Sequence, residues 1–277
     1  MAELIKQKLK KIIGLRGTIY FNHFLRRSFS PTSFKSKINP NDSYSDFFFY
    51  SSNLFLNTYR SENTFALLLK KPFKVRHKFV FYSRSGELFK EIYIESPDFI
   101  ISVDFPCFET REKYLSFTHE ILPLDGNLKL KDIIGQKKLV SFQNRGYTIF
   151  KKEKNSIGSS VHGNFGFICP SNIKMSAARQ RRIEFSYTPS YEFEFCSSYD
   201  LLFNNPTDKS LKVEIKFKNR NFEIDDFNLQ IRPMGTDYVP IKKYQGQISF
   251  NSNLPICRPL IFKNPELDLN NFDVLHS

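Results

Sequence analysis

Residues 78–96, KFVFYSRSGELFKEIYIES, alternate apolar and polar side chains on either side of a short polar turn. In the second run Leu88, Lys90, Ile92 and Ile94 fall on one face, and Phe89, Glu91, Tyr93 and Glu95 on the other. A period of two marks a strand with one buried face. The turn Ser83-Arg84-Ser85-Gly86, with Gly86 supplying a positive φ, then predicts a β-hairpin. Two more hairpins are expected by the same reading. One is LVSFQNRGYTIF (139–150), turning at Asn144-Arg145-Gly146; the other is LKVEIKFKNRNFEIDDFNLQI (211–231), turning near Asn219 to Asn221.

Composition points the same way. The 277-residue chain is 40% hydrophobic, enough to build a core, and the core material is 31 Phe and 13 Tyr with no Trp. Aromatic residues favour strands, and 14 Pro with 11 Gly supply turns, so the fold class is mostly β.

The chain also matches itself. FYSSNLFLNTYRSENTFALLL (49–69) and FCSSYDLLFNNPTDKSLKVEI (195–215) share a Phe, two serines, an apolar run, an Asn-containing polar turn and a second apolar run. Each is followed by strand, polar turn and strand, then by a Pro-bearing turn. This layout predicts two tandem immunoglobulin-like antiparallel β-sandwich units, or failing a true duplication one large β-sandwich. The expected divisions are a basic helix and linker over 1–40, a first unit over 41–125, a connector over 126–138 and a second unit over 139–277. The Pro, Asp-Gly and charge cluster of LPLDGNLKLKDIIGQKK (122–138) mark the seam.

A formal net charge of +13 suggests an anionic partner until it is divided along the chain. Residues 1–40 carry nine Lys/Arg against Glu3, whereas residues 41–277 carry 32 against 27 acids, a net of +5. Basicity therefore belongs mainly to the N-terminal arm. There Leu4, Ile5, Leu9, Ile12 and Ile13 form one helical stripe, surrounded by Lys6, Lys8, Lys10 and Lys11 and stopped by Gly14 and Gly17. A basic amphipathic helix of this kind suits attachment to an anionic membrane surface. It equally suits docking on the protein's own body, and the Arg/Ser-rich continuation NHFLRRSFSPTSFKSK leaves open an organelle presequence. No continuous apolar segment reads as a secretory signal or a spanning helix, so a cytoplasmic or peripheral location is expected.

The most site-like stretch is SIGSSVHGNFGF (156–167). Its G-x-x-x-x-G skeleton has Asn164 and Phe165 where a phosphate loop needs Lys and Ser/Thr, which removes that chemistry. Ser159 or Ser160 with His162 would need an acid to orient the imidazole, and no Asp lies between Asp132 and Asp200. His162 and Asn164 remain as ligand-binding candidates, together with Arg179, Arg181 and Arg182, whose guanidinium forks suit phosphate, a sugar acid or an anionic polymer. KKPFKVRHK (70–78) is a second basic patch that could converge on the same ligand. His119 and His276 stand alone and read as satisfied structural residues. Cys107, Cys169, Cys196 and Cys257 lack metal-ligand spacing, so neither a metal nor a cofactor is expected.

These readings favour a non-catalytic β-sandwich binding or scaffolding protein with a membrane-attached arm. The first alternative is an enzyme acting on glycans or another polar polymer near His162. The second, a nucleic-acid-binding protein using basic runs interleaved with Phe and Tyr, ranks last because the body carries only +5.

Overall fold

The structure, a computed structural model, describes residues 31–33, 44–51, 54–125, 128, 146–162, 165–167, 174–176, 185–205, 207, 209–218, 226–254, 259–266 and 272–276. These residues are predominantly β, and all the strand pairings are antiparallel. The expected N-terminal helix lies outside the described residues. In chain order the elements are β1 (Pro31–Ser33), β2 (Tyr44–Ser51), β3 (Leu56–Glu62), a short helix α1 (Thr64–Leu69), β4 (Val75–Tyr82), β5 (Leu88–Ser96), β6 (Ile100–Phe105), β7 (Tyr114–Pro123), β8 (Tyr147–Lys151) and β9 (Ser159–His162). There follow β10 (Phe165–Phe167), β11 (Lys174–Ser176), β12 (Phe185–Tyr187), β13 (Ser198–Asn204), β14 (Leu211–Lys218), β15 (Phe227–Ile231), β16 (Thr236–Lys242), β17 (Gln247–Ser252), β18 (Leu260–Lys263) and β19 (Asp273–His276).

The expected hairpin of 78–96 forms as β4 and β5, with Gly86 at φ 84° and its N–H donating to the Ser83 carbonyl at 2.9 Å. The hairpin of 211–231 forms as β14 and β15, Leu211 opposite Ile231. The one expected over 139–150 does not form. Both edges of β8 are taken, by β3 and β9, so no edge is left for residues 139–144. That pairing also puts residues 147–162 in one sheet with β3 and β6, although they follow the expected connector.

Four larger sheets run β10-β2-β7-β4-β5, β6-β3-β8-β9, β12-β17-β14-β15 and β16-β13-β18-β19, and β1 pairs with β11. Leaving aside β10, the last two orders are the first two with ten added to every strand number. A shared asparagine marks the same corner in each set. Asn63 and Asn205 directly follow β3 and β13 and are both fully buried. Their backbone N–H groups donate to Phe99 and Gly235, the residues before β6 and β16, at 2.7 and 2.9 Å. Their side-chain amides donate to Phe73 and Lys209, two residues before β4 and β14, at 2.8 and 2.6 Å. In the first set the Asn63 side chain also caps α1 through the Ala66 N–H at 3.1 Å.

Within each set β3 pairs with β6 and β4 with β7, or β13 with β16 and β14 with β17, while the first strand lies beside the sixth and the seventh beside the second.

Each pair of sheets closes over an aromatic core. Tyr59, Phe79, Phe81, Phe105 and Phe117 meet between the first two sheets, mostly edge to face, as aromatic quadrupoles prefer. Tyr199, Leu201, Phe203, Ile215 and Phe250 fill the second. A third cluster joins the two sets. Phe55, Tyr114, Phe150 and Val161, from one end of the first sandwich, rest on Leu202, Leu260, Phe262 and Val274, the outward side of the β16-β13-β18-β19 sheet.

Polar contacts fasten the same junction. Buried Asp200 accepts from the Tyr114 hydroxyl at 2.5 Å and pairs with Lys113 at 2.6 Å. Arg84, in the β4–β5 turn, pairs with Asp237 at 2.6 Å. Ser159 donates to Asp273 at 2.6 Å, and Lys152 to the Pro265 carbonyl at 2.6 Å.

Candidate functional site

His162 ends β9, opposite Tyr147 of β8; Tyr147 is opposite Arg60 of β3, and Arg60 opposite Ser102 of β6. Cross-strand partners point to the same side of a sheet, so the four side chains form one row across it. The inward side chains of these strands, Tyr59, Ile101, Val103, Thr148 and Val161, are buried, which puts the row on the outward face. Arg60, Ser102 and His162 are exposed and Tyr147 half-buried. A second row, Asp104, Thr58, Ile149 and Ser160, runs beside it. Thr58 donates to Asp104 at 2.6 Å, and Arg60 donates through Nε to Ser102 at 3.3 Å.

Two glycines allow this face to form. A Cβ on Gly146 would sit 2.1 Å from the Tyr59 hydroxyl oxygen, so only glycine can lead into β8 over that ring. A Cβ on Gly158 would sit 2.6 Å from Ile149 Cγ2 and 2.8 Å from Lys151 Cγ, where the loop 152–158 folds back onto β8. Ile157, two residues before β9, is 97% exposed.

The expected candidates therefore divide. His162 is exposed on the outward face of its sheet. Asn164, Arg179, Arg181 and Arg182 lie outside the described residues, as do the arm residues Leu4, Ile5, Lys6, Lys8, Leu9, Lys10, Lys11, Ile12 and Ile13. Ser159 points inward beside Phe150 and bonds to Asp273, so it cannot pair with His162. Ser160 shares the face of His162 but lies two residues along the strand, about 6.6 Å, beyond hydrogen-bond reach.

The second basic patch is partly neutralised: Lys74 and Arg76 pair with Glu95 at 3.2 and 2.8 Å, Lys78 pairs with Glu91 at 2.9 Å, and His77 is fully buried, while Lys70 and Lys71 are exposed and form no ion pair with a described residue.

His119, expected as an isolated structural residue, belongs to a buried polar chain with His77. Tyr59 Oη lies 2.6 Å from His119 Nδ1, and His119 Nε2 lies 2.9 Å from His77 Nδ1. Whichever way the protons run, the chain ends at His77 Nε2, buried with no hydrogen-bond partner. The rings stack, 5.2 Å apart and 6° from parallel, and Phe79 covers His119 at 4.8 Å. β2 brings Asp46 into register opposite His119. Burial lowers the His77 imidazole to about 4, and burial followed by the neighbouring His77 holds His119 well below its ordinary range. Both rings are fully buried, so the chain offers no surface to a substrate. A signal for it was present: His77 alternates with Val75, Phe79 and Phe81, and His119 with Leu115, Phe117 and Ile121.

On the other side of β7, Glu120 is 7% exposed and sits opposite Lys78. Burial raises its carboxyl to about 7, against the pull of Lys78 and with the added push of Glu91. Among the described residues no group of three or more His, Cys, Asp or Glu side chains is arranged to hold a metal ion. No protein-family model matches the chain, and no curated protein matches it in sequence.

Proposed function

We propose that this protein is a non-catalytic binding or scaffolding protein. It consists of two tandem, duplicated β-sandwich units with an immunoglobulin-like centre and exchanged edge strands, and its N-terminal basic helix holds it peripherally on an anionic membrane surface. The seam falls between β11 and β12 rather than at 126–138. The observation that carries the reading is the repeated eight-strand order, with one outward sheet face used as the junction. A platform of this kind presents a face and needs no pocket.

The geometry around His162 supports binding over catalysis, because its cross-strand neighbour is Tyr147 and neither nearby serine is within reach. The arm supplies apolar area and four lysines, each adding on the order of 1 kcal/mol near an anionic surface.

The test is co-sedimentation of the full chain with phosphatidylserine-containing vesicles, against the full chain carrying Lys6→Glu, Lys8→Glu, Lys10→Glu and Lys11→Glu. Membrane attachment by the arm predicts that the wild type pellets, that added salt weakens it, and that the variant stays in solution. Equal sedimentation of both would overturn it.

A further inference from the structure

We propose that the buried Tyr59–His119–His77 chain is an acid-sensitive lock on the first sandwich, which comes apart in acid while the second stays folded. This concerns regulation and goes beyond the membrane-attached binding protein proposed above. A comparison of the two cores carries it. The equivalence of Asn63 and Asn205 matches Tyr59 with Leu201, and the carbonyls that accept from those asparagines, Phe73 and Lys209, match His77 with Val213. His119 sits opposite Phe79, and Phe250 opposite Ile215, the next inward residue of each strand, so these two match as well. The second sandwich therefore fills with Leu201, Val213 and Phe250 the three core positions that the first gives to a phenol and two imidazoles. All six side chains are buried.

The chain crosses the sandwich. Tyr59 belongs to β3 in one sheet, and His119 and His77 to β7 and β4 in the other, so the 2.6 Å contact between Tyr59 Oη and His119 Nδ1 ties sheet to sheet. The arrangement suits neutral rings. With both imidazoles protonated, His119 Nε2 and His77 Nδ1, 2.9 Å apart, would each aim a hydrogen at the other. A single added proton would put a charge among Tyr59, Phe79 and Phe117. The inward residues facing the chain are apolar on β5 (Ile92 and Ile94) and on β6 (Ile101 and Val103), and Lys90 of β5 is drawn over the Phe108 ring at 5.1 Å. Asp46 of β2, in register opposite His119, is the one acid on this side among the strands of the sandwich, a single carboxylate for two imidazoles. Protons therefore enter when the sandwich opens and then hold it open. Burial keeps both rings below their ordinary range, so stability is lost as pH falls from about 6.5 toward 4. Glu120, on the far side of β7, offsets one imidazole and not two. The core of the second sandwich contains neither an imidazole nor a carboxyl.

The experiment is hydrogen–deuterium exchange of the full chain at pH 7 and pH 4.5, with each rate divided by that of the unstructured peptide at the same pH. Between the two, protection of β4 and β7 should fall at least tenfold more than protection of β14 and β17. The combined variant Tyr59→Phe, His77→Val and His119→Phe, which restores an apolar set, should abolish that difference. His119→Gln, which cannot titrate, is the second variant should the first not fold, and it should shrink the difference at least threefold. Equal loss of protection in the two sandwiches, or a difference undiminished in a folded variant, would overturn the inference. The lysine-to-glutamate arm variant should exchange like the wild type, so membrane attachment and the acid response are read separately.

Discussion

At the scale of single residues, His77 and Glu120 titrate away from their ordinary ranges in opposite senses for the same reason, burial. An imidazole held near 4 in the folded state and near 6.5 in the unfolded chain takes up its proton first on unfolding, so stability is lost as pH falls from about 6.5 toward 4. His119 acts in the same direction. A carboxyl raised to about 7 does the reverse: the folded state holds the proton more tightly, and stability rises as pH falls from about 7 toward 4.5. The His77 and Glu120 shifts each correspond to about 3 kcal/mol, so Glu120 offsets His77 across their shared window and leaves the His119 effect uncompensated. Glu120→Gln removes the compensating half. Between pH 7 and 4.5 the variant should lose about 3 kcal/mol more stability than the wild type, read from urea midpoints at a series of pH values. Parallel profiles would show that Glu120 does not titrate in the folded core region assigned to it.

At the scale of elements, the β4–β5 turn does two jobs. It closes the hairpin, and it docks on the β15–β16 turn, where the Thr236 N–H donates to the Arg84 carbonyl at 3.3 Å. Gly86 serves both, since its φ is 84° and a Cβ there would sit 2.0 Å from the Pro233 carbonyl oxygen. Gly86→Ala should therefore cost about 1–3 kcal/mol for the backbone alone and also lift the turn. Faster hydrogen exchange at the Thr236 amide, with the β14 ladder unchanged, is the expected signature; an unchanged Thr236 amide would refute the docking role. Local signals made the 78–96 and 211–231 hairpins legible, because turn glycine, asparagine and alternation all lie within the segment. The 139–150 segment carries the same signals, yet β8 pairs with β3, far earlier in the chain, and alternation says nothing about which strand is the partner. The internal match was legible in layout but not in register. Aligning Phe49 with Phe195 implies an offset of 146, whereas β3 and β13 begin at Leu56 and Ser198, an offset of 142, and Asn63 and Asn205 keep the latter. Serines and phenylalanines recur too often here to set register, and the buried asparagine does so through its hydrogen bonds. Of the site, His162 was found through its glycine-rich surroundings, but Arg60 and Tyr147 lie in unremarkable strand sequence and join it only through pairing.

At the scale of the whole molecule, the two sets of sheets share one strand order, and the proposed platform requires them to move as a single rigid body. The junction combines an apolar cluster with Asp200, whose carboxyl is held by Tyr114 and Lys113. Burial, reinforced by Asp200, keeps the Tyr114 hydroxyl protonated far above its ordinary range, so this bond persists at any physiological pH. Removing Asp200 leaves a buried hydroxyl and an ammonium without their shared partner, a loss that falls on the junction rather than on either core. The exposed thiols of Cys107, in the β6–β7 loop, and Cys196, just before β13, lie on opposite sides of it. The most direct test is the distribution of spin-label distances between these two residues, measured by pulsed electron resonance in a chain carrying Cys169→Ser and Cys257→Ser. A rigid platform predicts a single narrow distance that broadens on Asp200→Ala; a broad distribution in the chain that retains Asp200 would contradict it.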